Sequence, residues 1–211
     1  MKFYGQQGED MIAWELFKSS PLGFFVDVGA YDGIASSNSL AFEQRGWHGV
    51  CFEPNPYLFR RLLANRKCAL MDRVVGERMS DAEPFEINEP AADGNVSGCS
   101  KRSINPNASR LPLITLDYAL SFLGVDHVDY VSIDVEGWER QVLLGFDIAK
   151  YEPRLVIVEN NGDAKVAEYF ESNGYVLGRQ HYFNTFYLRD KSDIGTVVSI
   201  STNMENGRLM S

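Results

Sequence analysis

The sequence predicts an α/β fold built on a mostly parallel sheet. Three observations carry this expectation. Apolar runs of strand length alternate with helix-period segments through most of the 211 residues, the pattern of βαβ units around a parallel sheet. The first such run ends on a glycine turn that opens a helix, Phe24-Phe-Val-Asp-Val-Gly-Ala-Tyr-Asp-Gly33. The last two runs follow each other through a short link, which pairs them antiparallel at one edge.

In chain order, strands are expected at 24–28, 49–53, roughly 72–75, 128–135, 154–159, 175–178 and 185–188, each an apolar run too short to be a helix. Helices are expected between them at 37–45, 56–65, 116–123, 138–144 and 164–173. Residues 1–20 read as an N-terminal helix or lid. Residues 88–112 are dominated by Gly, Ser, Asn and Pro and read as a variable loop, either a functional lid or plain surface. The tail at 191–211 offers one strand, 196–200, before polar residues that fray. With 45% hydrophobic and 12% aromatic residues, the whole chain is expected to bury one core as a single domain.

Composition excludes some partners. A net charge of -9 and a pI near 4.9 oppose general attraction to nucleic acid or an anionic membrane, so a small-molecule or glycan acceptor fits better. Cys51, Cys68 and Cys99 are an odd count without CxxC spacing, supporting neither a disulfide framework nor a zinc site. There is no apolar signal-peptide core near Met1 and no run of about 20 apolar residues. The expected setting is therefore cytoplasmic, without stable membrane insertion, and the oligomeric state is open.

Strand, glycine turn and helix start together make a ligand cradle. Gly29 and Gly33 let backbone approach a ligand without a Cβ in the way, and the helix opened by Ser37 and Asn38 favours negative charge at its start. Open α/β sheets bind ligands at such strand ends. The spacing is Gly29-x-x-x-Gly33 with Tyr31 at the middle position, which weakens a pyrophosphate-binding reading. Asp27, inside the strand, needs a partner: either the ammonium of an amino-acid-like ligand or a structural bond to the turn. Glu53 ends the second strand twenty residues after Gly33, where an acidic side chain reaches ribose hydroxyls.

The combination resembles a class I S-adenosylmethionine-dependent methyltransferase, and more narrowly the FkbM family. The matching pieces are Gln7-Gly-Glu-Asp10, Phe25-Val-Asp-Val-Gly-Ala-Tyr-Asp-Gly33, Phe52-Glu-Pro-Asn-Pro56, Leu116-Asp117, Ser132-Ile-Asp-Val-Glu-Gly-Trp-Glu139 and Pro153-Arg-Leu-Val-Ile-Val-Glu159. The resemblance implies a Rossmann-like seven-stranded sheet with an antiparallel last strand and helices on both faces. It also implies O-methylation of sugars, polyketides or related natural products. On that resemblance, the cofactor site comprises Asp27, Gly29, Ala30, Gly33, Ser37, Asn38, Glu53, Val75 and Asp134. Asp27 and Gly29 line the methionine portion, Glu53 takes the ribose hydroxyls and the loop near Val74 and Val75 borders adenine.

Strand alternation would put Asp134 and Glu136 on one side, two carboxylates converging at a strand end. Asp134 is the first candidate to face the acceptor and Glu136 the second, unless Glu136 merely caps the next helix. Trp138 is either a pocket wall or a packing residue. His181, on the last hairpin, is a third candidate base. Asp134, Glu159 and Asn160 offer oxygen ligands for Mg²⁺. Gln7, Glu9 and Asp10 either fold over the cofactor or simply start a helix. Two other readings compete: an NAD-type dinucleotide-binding oxidoreductase and a non-catalytic nucleoside-binding module.

Overall fold

The computed structural model describes residues 2–20, 22–89, 101–105, 107–160 and 162–205. The chain opens with α1 (Glu9–Phe17), β1 (Phe24–Val28), α2 (Leu40–Glu43), β2 (His48–Phe52), α3 (Pro56–Asn65) and β3 (Ala69–Met71). Then come four short strands, β4 (Val74–Val75), β5 (Ser80–Glu86), β6 (Lys101–Arg102) and β7 (Ser109–Ile114), followed by α4 (Leu116–Phe122). The second half is β8 (Tyr130–Ile133), α5 (Glu139–Leu144), α6 (Ile148–Tyr151), β9 (Leu155–Glu159), α7 (Ala164–Ser172), β10 (Val176–His181), β11 (Asn184–Leu188) and α8 (Ile194–Glu205).

The main sheet has seven strands in the order β10-β11-β9-β8-β1-β2-β3. Every neighbouring pair is parallel except those of β11, which runs antiparallel to both β10 and β9. The carboxyl ends of β2, β1, β8, β9 and β10 and the start of β11 therefore share one rim. Local chemistry sets several helix starts. Asn55 accepts from Tyr57 N ahead of Pro56 in α3, Thr115 accepts from Tyr118 N in α4, and Asp163 accepts from Lys165 N in α7, each satisfying a helix-start donor.

Strand alternation divides the core. Val26, Val28, Val50, Phe52, Val131, Ile133, Val156 and Val158 pack with α4 to α7. Phe25, Cys51, Tyr130, Leu155 and Ile157 pack on the opposite face with α1, α2, α3 and α8. Asp27, Glu53, Ser132, Asp134 and Glu159 continue this second alternation, so the polar strand-end residues share the face of α1 and α8.

Two expectations are corrected. Residues 196–200 belong to α8, not to a strand. Their β-branched side chains suggest extended chain, yet Val197, Ser201 and Met204 are buried at helical spacing and the Ser201 hydroxyl donates to the Val197 carbonyl at 2.8 Å. Tertiary packing overrides propensity. The expected loop at 88–112 contains β6 and most of β7, parts of a second sheet in the order β4-β7-β5-β6. Residues 90–100, with Cys99, lie outside the described residues. Among the described residues no helix is long and apolar enough to cross a membrane.

Candidate active site

The glycine turn is shaped first by packing. Gly29 has φ +91°, and a methyl group on it would sit 1.8 Å from the carbonyl oxygen of Asp134. Its N–H and that of Ala30 both donate to the Phe52 carbonyl at 3.0 Å, tying the turn to β2. Gly33, at φ +82°, faces the side-chain stem of Arg66, where a methyl would lie 2.6 Å from Cγ.

Arg66 is a residue the sequence did not reveal. Its side chain is wholly buried, with Nε donating to Glu43 at 2.6 Å. One guanidinium nitrogen donates to the Ser37 hydroxyl at 3.3 Å and the Gly33 carbonyl at 3.5 Å, the other to the Ser39 hydroxyl at 3.0 Å. Asp27 accepts from the same Ser39 hydroxyl. Burial raises the Asp27 pKa, while the Arg66 charge and the Ser39 bond oppose that rise. The structure thus gives Asp27 a partner within the turn and its helix, one of the two arrangements open from sequence. Asn38, also buried, donates through Nδ2 to the Ser132 hydroxyl on β8 at 3.2 Å.

Glu53 is 1% exposed and stands at the end of β2. It accepts from Tyr31 N at 3.0 Å and Asn55 N at 2.8 Å. Burial pushes its pKa up to about 7, with a further push from Asp27, against the two N–H donors. Beside it lies a slot of about 30 Å³ lined by Gly29, Val74, Val75, Phe85 and Trp138. Trp138 donates from Nε1 to the Val75 carbonyl at 3.1 Å and meets Phe85 edge to face at 5.8 Å. It is a wall of this slot, beside the expected adenine position.

The raised Glu53 pKa has a thermodynamic consequence. A carboxyl whose folded pKa exceeds its unfolded value contributes stability that is present below the unfolded value and lost as pH rises through the folded one. For Glu53 that window runs from 4.5 to about 7. Thermal melts of ligand-free protein across this window should show a flatter dependence of Tm on pH for Glu53→Gln than for wild type. Identical slopes would refute the assignment.

At the end of β8, alternation does not continue to Glu136. β8 ends at Ile133, and Glu136 adopts φ +55° and is exposed. The carboxyl that meets Asp134 is instead Glu159, from the end of β9. The two share a hydrogen bond, and Asp134 is pushed up to about 8 by burial and then by the neighbouring Glu159 charge. Glu159 is raised as well, chiefly by burial. Like charges in contact cannot both ionise freely, so each carboxyl opposes ionisation of the other. The loop after β8 is held by Glu139, whose Oε1 accepts from Val135 N at 3.3 Å and Gly137 N at 2.9 Å.

The Mg²⁺ expectation is not supported. Asn160 Oδ1 accepts from Gly162 N at 2.9 Å and Asp163 N at 2.8 Å, so that oxygen serves its own turn. Among the described residues no group of three or more His, Cys, Asp or Glu side chains is arranged to hold a metal ion. His181 lies apart from Asp134. It is 1% exposed, its Nε2 is 3.0 Å from the Gln7 carbonyl, and β10 lies three strands from β8, about 14 Å.

Gln7 belongs to a strap, residues 4–8, that runs from α2 to β10. Tyr4 meets Gln44 through its hydroxyl and donates from its N–H to Asp10 Oδ2 at 2.6 Å. Gln7 N donates to Glu9 Oε2 at 2.8 Å, and Asn184 Nδ2 to Glu9 Oε1 at 2.9 Å. Glu9 and Asp10 are buried at the start of α1, and burial pushes Asp10 up to about 6.

No curated protein matches the chain. Among solved structures, a TehB-like SAM-dependent methyltransferase from Corynebacterium glutamicum is similar with a TM-score of 0.44 and 10% identity, over 90% of this chain and 89% of its own. A SAM-dependent methyltransferase from Methanosarcina mazei is similar with a TM-score of 0.31 and 10% identity, over 86% and 80% respectively. The family model of the methyltransferase FkbM domain matches residues 27–177, a span that starts at Asp27 in the glycine-turn strand and takes in Glu53, Asp134 and Glu159. With that match covering most of its length, the chain belongs to the FkbM methyltransferase family.

Proposed function

We propose that this protein transfers a methyl group from S-adenosylmethionine to a hydroxyl group of a small-molecule or glycan acceptor. The observation that carries the reading is the meeting of the Asp134 and Glu159 carboxyls at neighbouring strand ends, set on the same sheet face and rim as Glu53. Bound S-adenosylmethionine supplies an electrophilic methyl group. The residues of the chain do the rest. Glu53, a buried carboxyl beside an apolar slot, fits an adenosine: its oxygens accept ribose hydroxyls while Val75, Phe85 and Trp138 flank the base. The slot as it stands has about the volume of one water, so Trp138 or the second sheet must yield to admit adenine.

A neutral hydroxyl must lose its proton as the methyl arrives, and a carboxyl pair tuned toward neutrality is suited to accept it. Positioning of the acceptor against Asp134 supplies a further part of the rate. The dinucleotide oxidoreductase reading is disfavoured at Tyr31, which occupies the middle position with φ +54° and whose N–H is already given to Glu53. A non-catalytic module would leave the Asp134 and Glu159 pair without a role.

Calorimetric titration with S-adenosylmethionine, S-adenosylhomocysteine and NAD tests the cofactor, and a methyl-transfer screen of sugar and polyketide hydroxyls with and without EDTA tests the chemistry. Binding of the two adenosyl ligands but not NAD, and turnover insensitive to EDTA, are the expected results. Glu53→Ala should weaken S-adenosylhomocysteine about ten- to a hundred-fold, the worth of hydrogen bonds to a charged group. Tight NAD binding with neither adenosyl ligand bound would overturn the proposal.

A further inference from the structure

Two of the three cysteines meet at the edge of the main sheet. Cys51 lies on β2 opposite Leu70 of β3. Cys68 stands two residues before Leu70, so strand alternation puts both cysteine side chains on the same face. Both belong to the core cluster that contains Phe25 and Leu62. Their sulfurs are 3.5 Å apart and both are free thiols. Cys51 is wholly buried, whereas Cys68 is half-buried. Nothing in the proposed methyl transfer uses either sulfur.

The contact is close to that of a bonded pair. A disulfide needs its sulfurs about 2.05 Å apart, which leaves about 1.5 Å for small side-chain rotations to cover. The surroundings suit the chemistry. Thiol exchange proceeds through a thiolate, which a neighbouring cation favours, and the buried Arg66 guanidinium feels the charge of both sulfurs. Burial pushes the Cys51 thiol up, while Arg66 opposes that rise. Glu43 accepts from Cys68 as well as from Arg66, so the pair is joined to the network beneath the glycine turn. Exposure divides the roles. Cys68 is the sulfur that a small oxidant reaches, and Cys51, enclosed beside it, is placed to displace whatever Cys68 has taken up.

We propose that Cys51 and Cys68 are a reversible redox pair that closes to an intrachain disulfide by exchange with a low-molecular-weight disulfide. In the first step the Cys68 thiolate attacks one sulfur of the small disulfide, forming a mixed disulfide and releasing one small thiol. In the second the Cys51 thiolate attacks the Cys68 sulfur and releases the other. Two protein thiols are oxidised, one small disulfide is reduced to two thiols, and the two protons pass to those thiols. The bond ties β2, which leads into Glu53, to the segment after α3 that carries Arg66. It joins cysteines 17 positions apart and so restricts the unfolded chain. Because the sulfurs already touch in the folded chain, the oxidised protein keeps its fold and gains stability.

The test equilibrates the native protein with oxidised glutathione, blocks the remaining thiols and maps tryptic peptides by mass without reduction. The peptide that begins at Cys68 should be found joined to the one that contains Cys51. In parallel melts, Tm should rise by about 6–12 °C and return to its starting value with dithiothreitol. Cys68→Ser, which removes only the half-buried sulfur, should show neither the joined peptide nor the reversible rise. Cys51 and Cys68 that stay reduced, a glutathione adduct that persists on Cys68, or pairing of either residue with Cys99 would overturn the proposal. So would a joined peptide with an unchanged or lower Tm, which would mean that the native chain must deform to close the bond.

Discussion

Asp134→Asn is expected to lower methyl transfer by about a hundred- to ten-thousand-fold, the range associated with removing a positioned acid or base, while leaving S-adenosylhomocysteine binding essentially unchanged. The side chain keeps its shape but can no longer accept a proton. The wild-type pH profile should rise to a plateau above about 8, because the last proton leaves Asp134 only there. Glu159→Gln removes the largest charge opposing that ionisation. The inflection should therefore move to lower pH, though not to the ordinary aspartate value of 3.8, since burial remains the leading cause of the rise. Stopped assays of kcat and kcat/KM across pH check both points. Full turnover in Asp134→Asn, or an inflection that ignores Glu159→Gln, would place the base elsewhere.

Gly29→Ala is expected to destabilise the fold severely. The added methyl would stand 1.8 Å from a backbone oxygen of Asp134 in a conformation with φ +91°. Left-handed strain alone is worth about 1–3 kcal/mol, and the clash can be relieved only by separating β1 from the loop after β8. A total beyond about 4 kcal/mol lies in the exceptional range for point substitutions, and for a chain of this size it corresponds to a fall in Tm of at least about 8 °C. Gly137→Ala is the internal control: its φ is +95°, but nothing lies within 4 Å of the new methyl. It should lose only the left-handed strain, about 1–3 kcal/mol. Equal melting temperatures for the two variants would remove the close-packing argument.

The parallel sheet was legible because its strands are continuous apolar runs bounded by turns, and β1 and α3 fall where expected. The second sheet was not. In β5, Ser80–Glu86, only Phe85 is buried and Pro84 interrupts the run, so neither alternation nor hydrophobicity announces a strand. Its pairing with β7 also carries a register shift between Ser80 and Glu83. For α8 the β-branched run pointed the wrong way, because the deciding contacts are with α1 and β10, far away in sequence.

The site was legible as strand ends but not as pairs. Asp134 and Glu159 each stood out, yet their meeting depends on β8 and β9 being neighbours and on the chain turning aside at Glu136. The extension of alternation to Glu136 failed because φ +55° ends the pleat. Arg66 gave no signal: one arginine among the alternating polar residues of α3 and its exit looks solvent-facing, and only the fold brings it under Gly33, Ser37 and Ser39. The burial of His181 was equally hidden. A lone histidine near a strand end reads as accessible, but the strap buries it.

The contact between Gly29 and the Asp134 carbonyl bears on how relatives of this protein should be sorted. A glycine required by the packing of two neighbouring strands will persist in any descendant that keeps the architecture, whether or not it still turns over a substrate. The Gly29-x-x-x-Gly33 signature is accordingly a marker of ancestry. Whether such a descendant keeps the proposed methyl transfer is a question for positions 134 and 159, whose carboxyls meet each other.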